Sequence, residues 1–322
     1  MKKAVLTALI APFALAAIAA GAQQSFPTRP IRLIVSFAAG GPTDIFARLV
    51  AVRLEKELGQ PIIVENKPGG GSNIGSEFVA RAKPDGYTIG QIPISVTRFS
   101  QLGTLAADPR KDFNYIARTS GQTFGIAVPA NSPFKTLKDF VAHAKANPGK
   151  VTYAHAGVGG ATHVGMEEFA MTAGVQLSQI PFKGGSEALQ AVLGGHVDVL
   201  VDSSSWAPHV EAGKLRLLAT WGEQRPARFK DVPTLKDAGY NVVVDAPNGI
   251  GAPKGVDPAI TARLRQAFRA AVASVEFKQS CDKIDAPVLY LDGPDYEKYV
   301  AQVYRKETMI IERLKLKELL KS

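Results

Sequence analysis

Two short stretches of this 322-residue chain share a set of residue types suited to holding a small anion. One reads Gly40-Gly41-Pro42-Thr43-Asp44 and the other Gly159-Gly160-Ala161-Thr162-His163. Each follows an apolar run and opens an amphipathic one, the layout of a strand, a tight turn and a helix start. The first amides of a helix lack backbone partners, and the helix dipole adds positive charge at that end. Paired glycines let a carboxylate or phosphate approach those amides, and Thr43 and Thr162 add hydroxyls. A second reading is local, with Thr43 and Asp44 as first-turn capping groups and His163 as a capping or packing residue. Asp44 would repel a bare anion, so capping suits it better. His163 suits a ligand oxygen and its own helix equally. Repetition of the turn favours the anion reading.

Other chemistry has little support. The five histidines (His143, His155, His163, His196 and His209) show no H-E-x-x-H or other metal-ligand spacing. The run Gly69-Gly70-Gly71-Ser72-Asn73-Ile74-Gly75 misses the P-loop pattern because Ser76 stands where lysine is required. Ile74 breaks both the dinucleotide and the hydrolase-elbow patterns. What remains is a helix-start loop with Ser72 and Asn73 as polar contacts. No nucleophile, base and orienting group form a set, so neither catalysis nor a cofactor or metal is expected. Asp202 closes the strand-like VDVLVD, where it meets a ligand amine or orders the polar loop that follows.

These residues need a scaffold that alternates strands and helices. Apolar runs at Ile31–Phe37, Ile62–Glu65, Thr88–Ile92, Val151–Ala154 and Val197–Val201 read as strands. Thr43–Leu58 reads as a helix with Ile45, Leu49 and Val52 on one face and Gly59 as its stop. Thr136 to Asp139 matches a capping box, Pro258–Ala273 repeats the helical spacing, and the tail from Pro294 is amphipathic. The expected class is α/β with two lobes, each a mostly parallel sheet flanked by helices. The rhythm breaks at 117–133 and 242–258, where extended runs mix with Gly, Pro and Ser. Both are read as crossings between lobes. Lobe one then holds 26–120 plus 248–322 and lobe two 121–247, with one anion-type turn in each.

The chain opens Met1-Lys2-Lys3, runs apolar from Ala4 to Ala20 and reaches Ala20-Gly21-Ala22. This is the pattern of a signal peptide at 1–22, cleaved after Ala22, although the run is long enough for an uncleaved anchor. One cysteine, Cys281, permits no internal disulfide, and an exported chain without one suits the bacterial periplasm. The net charge is +9, yet Lys and Arg are scattered without a basic block, so no nucleic-acid partner is expected.

Taken together, RPIRLIVSFAAGGPTDIFARLV, LGQPIIVENKPGGGSNIGSEFVARAKPDGYTI, GVGGATH, PFKGGSEALQAVLGGHVDVLVDS and APNGIGAPKGVDPAI resemble the Bug family. These are extracytoplasmic solute-binding proteins of tripartite tricarboxylate transport systems. The resemblance runs in order over essentially the whole chain after the leader. It implies a two-lobed Venus-flytrap fold that closes on a small organic acid and hands it to membrane permease subunits, with the receptor a monomer. By position it carries ligand contacts to Phe37, Ala39, Gly40, Gly41, Thr43 and Asp44, with Ser72, Asn73 and Ser95 on the same side. Gly159, Gly160, Thr162, His163, Lys183, Gly184 and Asp202 face them from the second lobe. Many members have proline where Ser36 stands and often another at Ala39. A sensor that signals to a receptor, or an exported α/β hydrolase, are the alternatives.

Overall fold

Ile31, Leu33 and Val35 alternate inward along β1 (Ile31–Val35), the inner strand of the first sheet. The computed structural model describes residues 26–244 and 246–319. The leader at 1–22 and its cleavage after Ala22 lie outside the described residues. β1 pairs in parallel with β2 (Ile62–Asn66) on one side and β3 (Thr88–Gln91) on the other. α1 (Pro42–Leu58) and α2 (Asn73–Ala80) connect them, and α3 (Val96–Leu102) follows β3. β4 (Phe113–Ser120) then leads into the second sheet. There β5 (Gly125–Pro129), α4 (Leu137–Ala146), β6 (Thr152–His155), α5 (Ala161–Ala173), β7 (Ser178–Pro181), α6 (Gly185–Leu193), β8 (Val199–Asp202), α7 (Ala207–Glu211) and β9 (Leu215–Thr220) succeed one another. The chain returns through β10 (Asn248–Pro253), α8 (Pro258–Ala273), α9 (Val275–Lys283), β11 (Leu291–Asp292) and α10 (Gly293–Arg313).

The strand orders are β11-β4-β10-β3-β1-β2 and β7-β6-β8-β5-β9. Both sheets are mixed, which corrects the expectation of mostly parallel ones. β2, β1 and β3 run parallel, as do β7, β6 and β8, but β10 is antiparallel to β3 and β4, and β5 to β8 and β9. The reversed strands enter from the other sheet or leave for it. They insert beside the βαβ units from the opposite end, a pairing that no local pattern encodes.

α1 begins where Gly41 is extended and Pro42 occupies the first turn, and it stops at Gly59 with φ 69°. Its buried face is Phe46, Val50, Leu54 and Leu58, packed on Ile31, Leu33 and Val35. Each such large side chain contributes roughly 1.5–3 kcal/mol by burial. Ile45 and Val52 are exposed instead, which corrects the face chosen from sequence. The helix carries two apolar stripes, and the one with Phe46 buries more area. The capping box is present as read, with Asp139 N–H donating to Thr136 Oγ1 and Thr136 N–H to Asp139.

Asn248 ties the two crossings together. Its Nδ2 donates to Ser120 Oγ (2.7 Å) and the Gly121 carbonyl (3.2 Å). Its Oδ1 accepts from Gln91 Nε2 (2.6 Å) and Gln122 Nε2 (3.1 Å). At the far edge, α10 packs on the first sheet through Tyr296 and Val300. Its end and the residues just beyond it reach the second, where Ile311 and Leu316 meet Val164 and Arg313 pairs with Glu168.

Candidate functional site

The cavity between the sheets is bordered by the starts of several helices. From the first sheet come Phe37, Gly41, Pro42 and Thr43 at α1, and Gln91, Pro93, Ile94 and Ser95 before α3. From the second come Ala156, Gly160, Ala161 and Thr162 at α5, Gly185 at α6, and Asp202 and Ser203 after β8. Gln122, Phe124, Ala246 and Pro247 line it from the crossings. Helix geometry leaves the first amides of α1, α5 and α6 without backbone acceptors, except that Pro42 has none to offer. Phe37, Pro93, Ile94 and Phe124 form apolar walls. Among the described lining residues there is no Lys, Arg or His. An anion here is met by backbone dipoles and hydroxyls.

Of the residues expected from sequence, the cavity brings together Phe37, Gly41, Thr43, Ser95, Gly160, Thr162 and Asp202. Ala39 and Gly40 are exposed on the turn beside it. Asp44 faces away: it accepts from Gly40 N–H (2.9 Å), Arg48 Nε (3.0 Å) and Asn66 Nδ2 (2.9 Å). Burial works to raise its pKa, but those hydrogen bonds prevail and the carboxyl is held below its usual range. Asp44 fixes the turn. Ser72 is buried with its hydroxyl 3.5 Å from Ser95 Oγ. Asn73 and Lys183 border a separate surface groove with Gly71, Phe99 and Val158. Asn73 donates there to Thr104, and the Lys183 amide donates to Glu187.

The two matching turns do not close on each other. Gly41 abuts α6, where an added Cβ would lie 3.6 Å from Ser186 N, and Ser186 Oγ donates to Ala39 O (3.0 Å). Gly184 sits against Ala38. Gly159 packs on Phe99, and its carbonyl accepts from Arg98 (2.7 Å). Each turn meets a different partner across the cleft while both border one cavity. The pocket residues Gln91, Gln122, Phe124, Ala246 and Pro247 were missed from sequence. They come from strand ends and crossings, and only the Gly/Pro-rich composition of those crossings marked the region.

His163 is buried behind the cavity. Its Nδ1 accepts from Gly159 N–H (3.0 Å), so a neutral ring carries its proton on Nε2. It stacks on His155 with ring centroids 4.8 Å apart, and His155 Nε2 lies 3.1 Å from Gln179 Oε1. Burial pushes His155 down to about 4 and His163 to about 3, with the charges of His155 and Arg98 adding to the latter. An unfolded histidine titrates near 6.5, so between there and about 4 the unfolded chain takes up protons that the native state refuses. Stability from a neutral buried His163 is present above pH 6.5 and lost as pH falls. His163→Asn keeps an acceptor for Gly159. It is expected to gain on the wild type by about 1.4 kcal/mol per pH unit between pH 6.5 and 4. Paired urea melts read this difference, and parallel pH profiles for the two proteins would refute it. The comparison must be differential, because burial raises Asp202 to about 7 and Asp285 to about 6, with the opposite slope.

Among the described residues no group of three or more His, Cys, Asp or Glu is placed to hold a metal ion. No helix among them is long and apolar enough to cross a membrane. Residues 46–316 match the family model described as "Tripartite tricarboxylate transporter family receptor". The "UPF0065 protein in gbd 5' region" of Cupriavidus necator is 47% identical over 98% of this chain and 96% of its own. The structure of periplasmic binding protein BugD superposes with a TM-score of 0.87 at 29% identity, covering 90% of this chain and 99% of that one. MatC from Rhodopseudomonas palustris, solved with bound malate, gives a TM-score of 0.81 at 30% identity over 90% and 99%. The fold is therefore the two-lobed α/β fold of periplasmic binding proteins, the class to which BugD belongs. By the match over most of its length, the chain belongs to the family of tripartite tricarboxylate transporter receptors.

Proposed function

We propose that this protein captures a small carboxylate in its interlobe cleft, in the periplasm, and delivers it to the membrane permease of a tripartite tricarboxylate-type transporter. One observation carries the reading: a cavity walled by both sheets, bordered by helix starts and without a cationic side chain among its described lining residues. Such a site rewards one compact anion more than a chain of positive contacts would, because oriented amides need no reorganisation. Malate bound to a structural neighbour and the family match support the ligand class. We read 26–120 plus 248–322 and 121–247 as the two bodies that move, with Phe37, Gly41, Thr43, Ser95, Gly160, Thr162 and Asp202 meeting the ligand. Ala39, Gly40, Asp44, Ser72, Gly159, His163 and Gly184 shape the turns around it. Ligand that touches both lobes favours the closed form by its differential affinity.

A melting-temperature panel of organic acids on refolded protein tests this, since refolding removes any captured ligand that would mask others. At least one carboxylate is expected to raise the melting temperature, and at saturation to shrink the radius of gyration in X-ray scattering. A panel without any shift, or binding without compaction, would reject the reading.

A further inference from the structure

Among the described residues that line the cavity, Asp202 is the single ionisable one. It is buried at the end of β8 and lies against the first turn of α6, where a Cβ on Gly185 would fall 2.6 Å from Oδ1. Its Oδ2 accepts from Ser205 Oγ, and the Ser203 amide donates to the same carboxyl group. Gly185 in turn adjoins Gly41 at the start of α1. The acidic group and the amides of the α1 turn therefore share one end of the cleft. A carboxylate held on those amides sits beside a second carboxyl in a space with no described cation to separate them.

We propose that a carboxylate entering this cleft is bound together with one proton, taken from solvent and held on Asp202, so that capture is coupled to acidity. The protonated carboxyl then donates a hydrogen bond to the ligand, and the pair carries one negative charge instead of two. The inference rests on the carboxylate reading above. Like-charged carboxyls sharing a site raise one another's proton affinity, and here burial already holds Asp202 near neutrality at about 7.

The charged groups on neighbouring elements leave this assignment intact. Glu187 of α6 turns to the Lys183 amide, and Asp44 of α1 is occupied by Arg48 and Asn66. His155 of β6 and His163 of α5 are buried and stay neutral. Glu167 of α5 accepts from Tyr153, while Arg228 engages Glu211 and Asp285 beyond the Ser204 turn. The influences on Asp202 itself are burial, Ser205 and Ser203, with no charged neighbour among them.

Calorimetry with malate and with benzoate at pH 6.5 and 8.5, in phosphate and in Tris, measures the proton count. Uptake close to one proton per bound acid is expected at pH 8.5, with affinity weakened up to about tenfold per pH unit above 7. Asp202→Asn is expected to abolish both the uptake and the pH slope. Equal affinity at the two pH values would overturn the proposal. So would proton release, the sign that binding favours ionised Asp202. Carbon NMR of the ligand-free protein decides the point without any ligand. A carboxyl resonance absent from Asp202→Asn should titrate near 7, and a midpoint near 4 would overturn it. If neither acid binds at either pH, malate and benzoate are excluded as ligands while the NMR titration still judges Asp202.

Discussion

Arg98→Ala is expected to lower the unfolding free energy by about 3–5 kcal/mol, measured by urea denaturation. Arg98 and Glu307 are 6% and 3% exposed and form a two-pronged ion pair, Nε to Oε2 and Nη2 to Oε1, both at 2.7 Å. Burial raises the Glu307 pKa even though Arg98 opposes it, so desolvation outweighs attraction at that carboxylate. The pair is thus a poor source of net stability while intact. Breaking it is costly because one charge stays buried without its partner. Removing both charges should be milder: Arg98→Leu combined with Glu307→Leu is expected to recover a large part of the loss. A single-mutant loss below about 1 kcal/mol would show that Glu307 simply reaches water or takes a proton.

Gly71→Val is expected to weaken carboxylate binding by roughly 5–150-fold, the ordinary range of coupling between a conformational equilibrium and a ligand. Here the lobes touch backbone to backbone. A Cβ on Gly71 would come within 2.7 Å of Phe99 Cζ and 2.8 Å of the Val158 carbonyl oxygen. A Cβ on Gly157, facing it, would lie 2.9 Å from Gly71 Cα. Neither gap admits a side chain, so a branched one holds the cleft apart, and saturating carboxylate should no longer reduce the radius of gyration. Gly71 also has φ +66°, which costs an L-residue about 1–2 kcal/mol whatever the space. Gly103→Ala is the control, because Gly103 has φ +75° and open space around it. That variant should lose comparable stability and keep its binding. Full compaction and affinity in Gly71→Val would mean that closure does not pass through this contact.

Features set by neighbouring residues are legible in the sequence alone. Gly41, Pro42 and Gly59 mark both ends of α1, and Thr136 with Asp139 marks the start of α4. The helix starts that border the cavity follow from the same signals, which is why Gly41, Thr43, Gly160 and Thr162 were found. The buried face of α1 was not readable, since Ile45-Leu49-Val52 and Phe46-Val50-Leu54 both satisfy helical spacing. Only the partner sheet chooses between them. Strand direction, the Asn248 junction and the contributions of Gln122 and Phe124 depend on pairings across more than seventy residues. Asp44 and His163 lie in the first turns of α1 and α5, and their hydrogen bonds to Gly40 and Gly159 turn them inward to support the backbone.

α10 has a mechanical consequence. Its 21 residues make a rod about 30 Å long, seated on the first sheet and meeting α5 of the second at its far end. The rod acts as a door stay. Parting the lobes must either drag its tip away from Val164 and break Glu168–Arg313, or carry the tip along and bend the helix. An exposed ion pair resists by no more than about 1 kcal/mol, and the small apolar contact adds to it. On the closure proposed above, the resting angle of the empty receptor would be set partly at its outer rim, far from the ligand. Substitutions at Ile311 or Arg313 would retune affinity without touching the cavity.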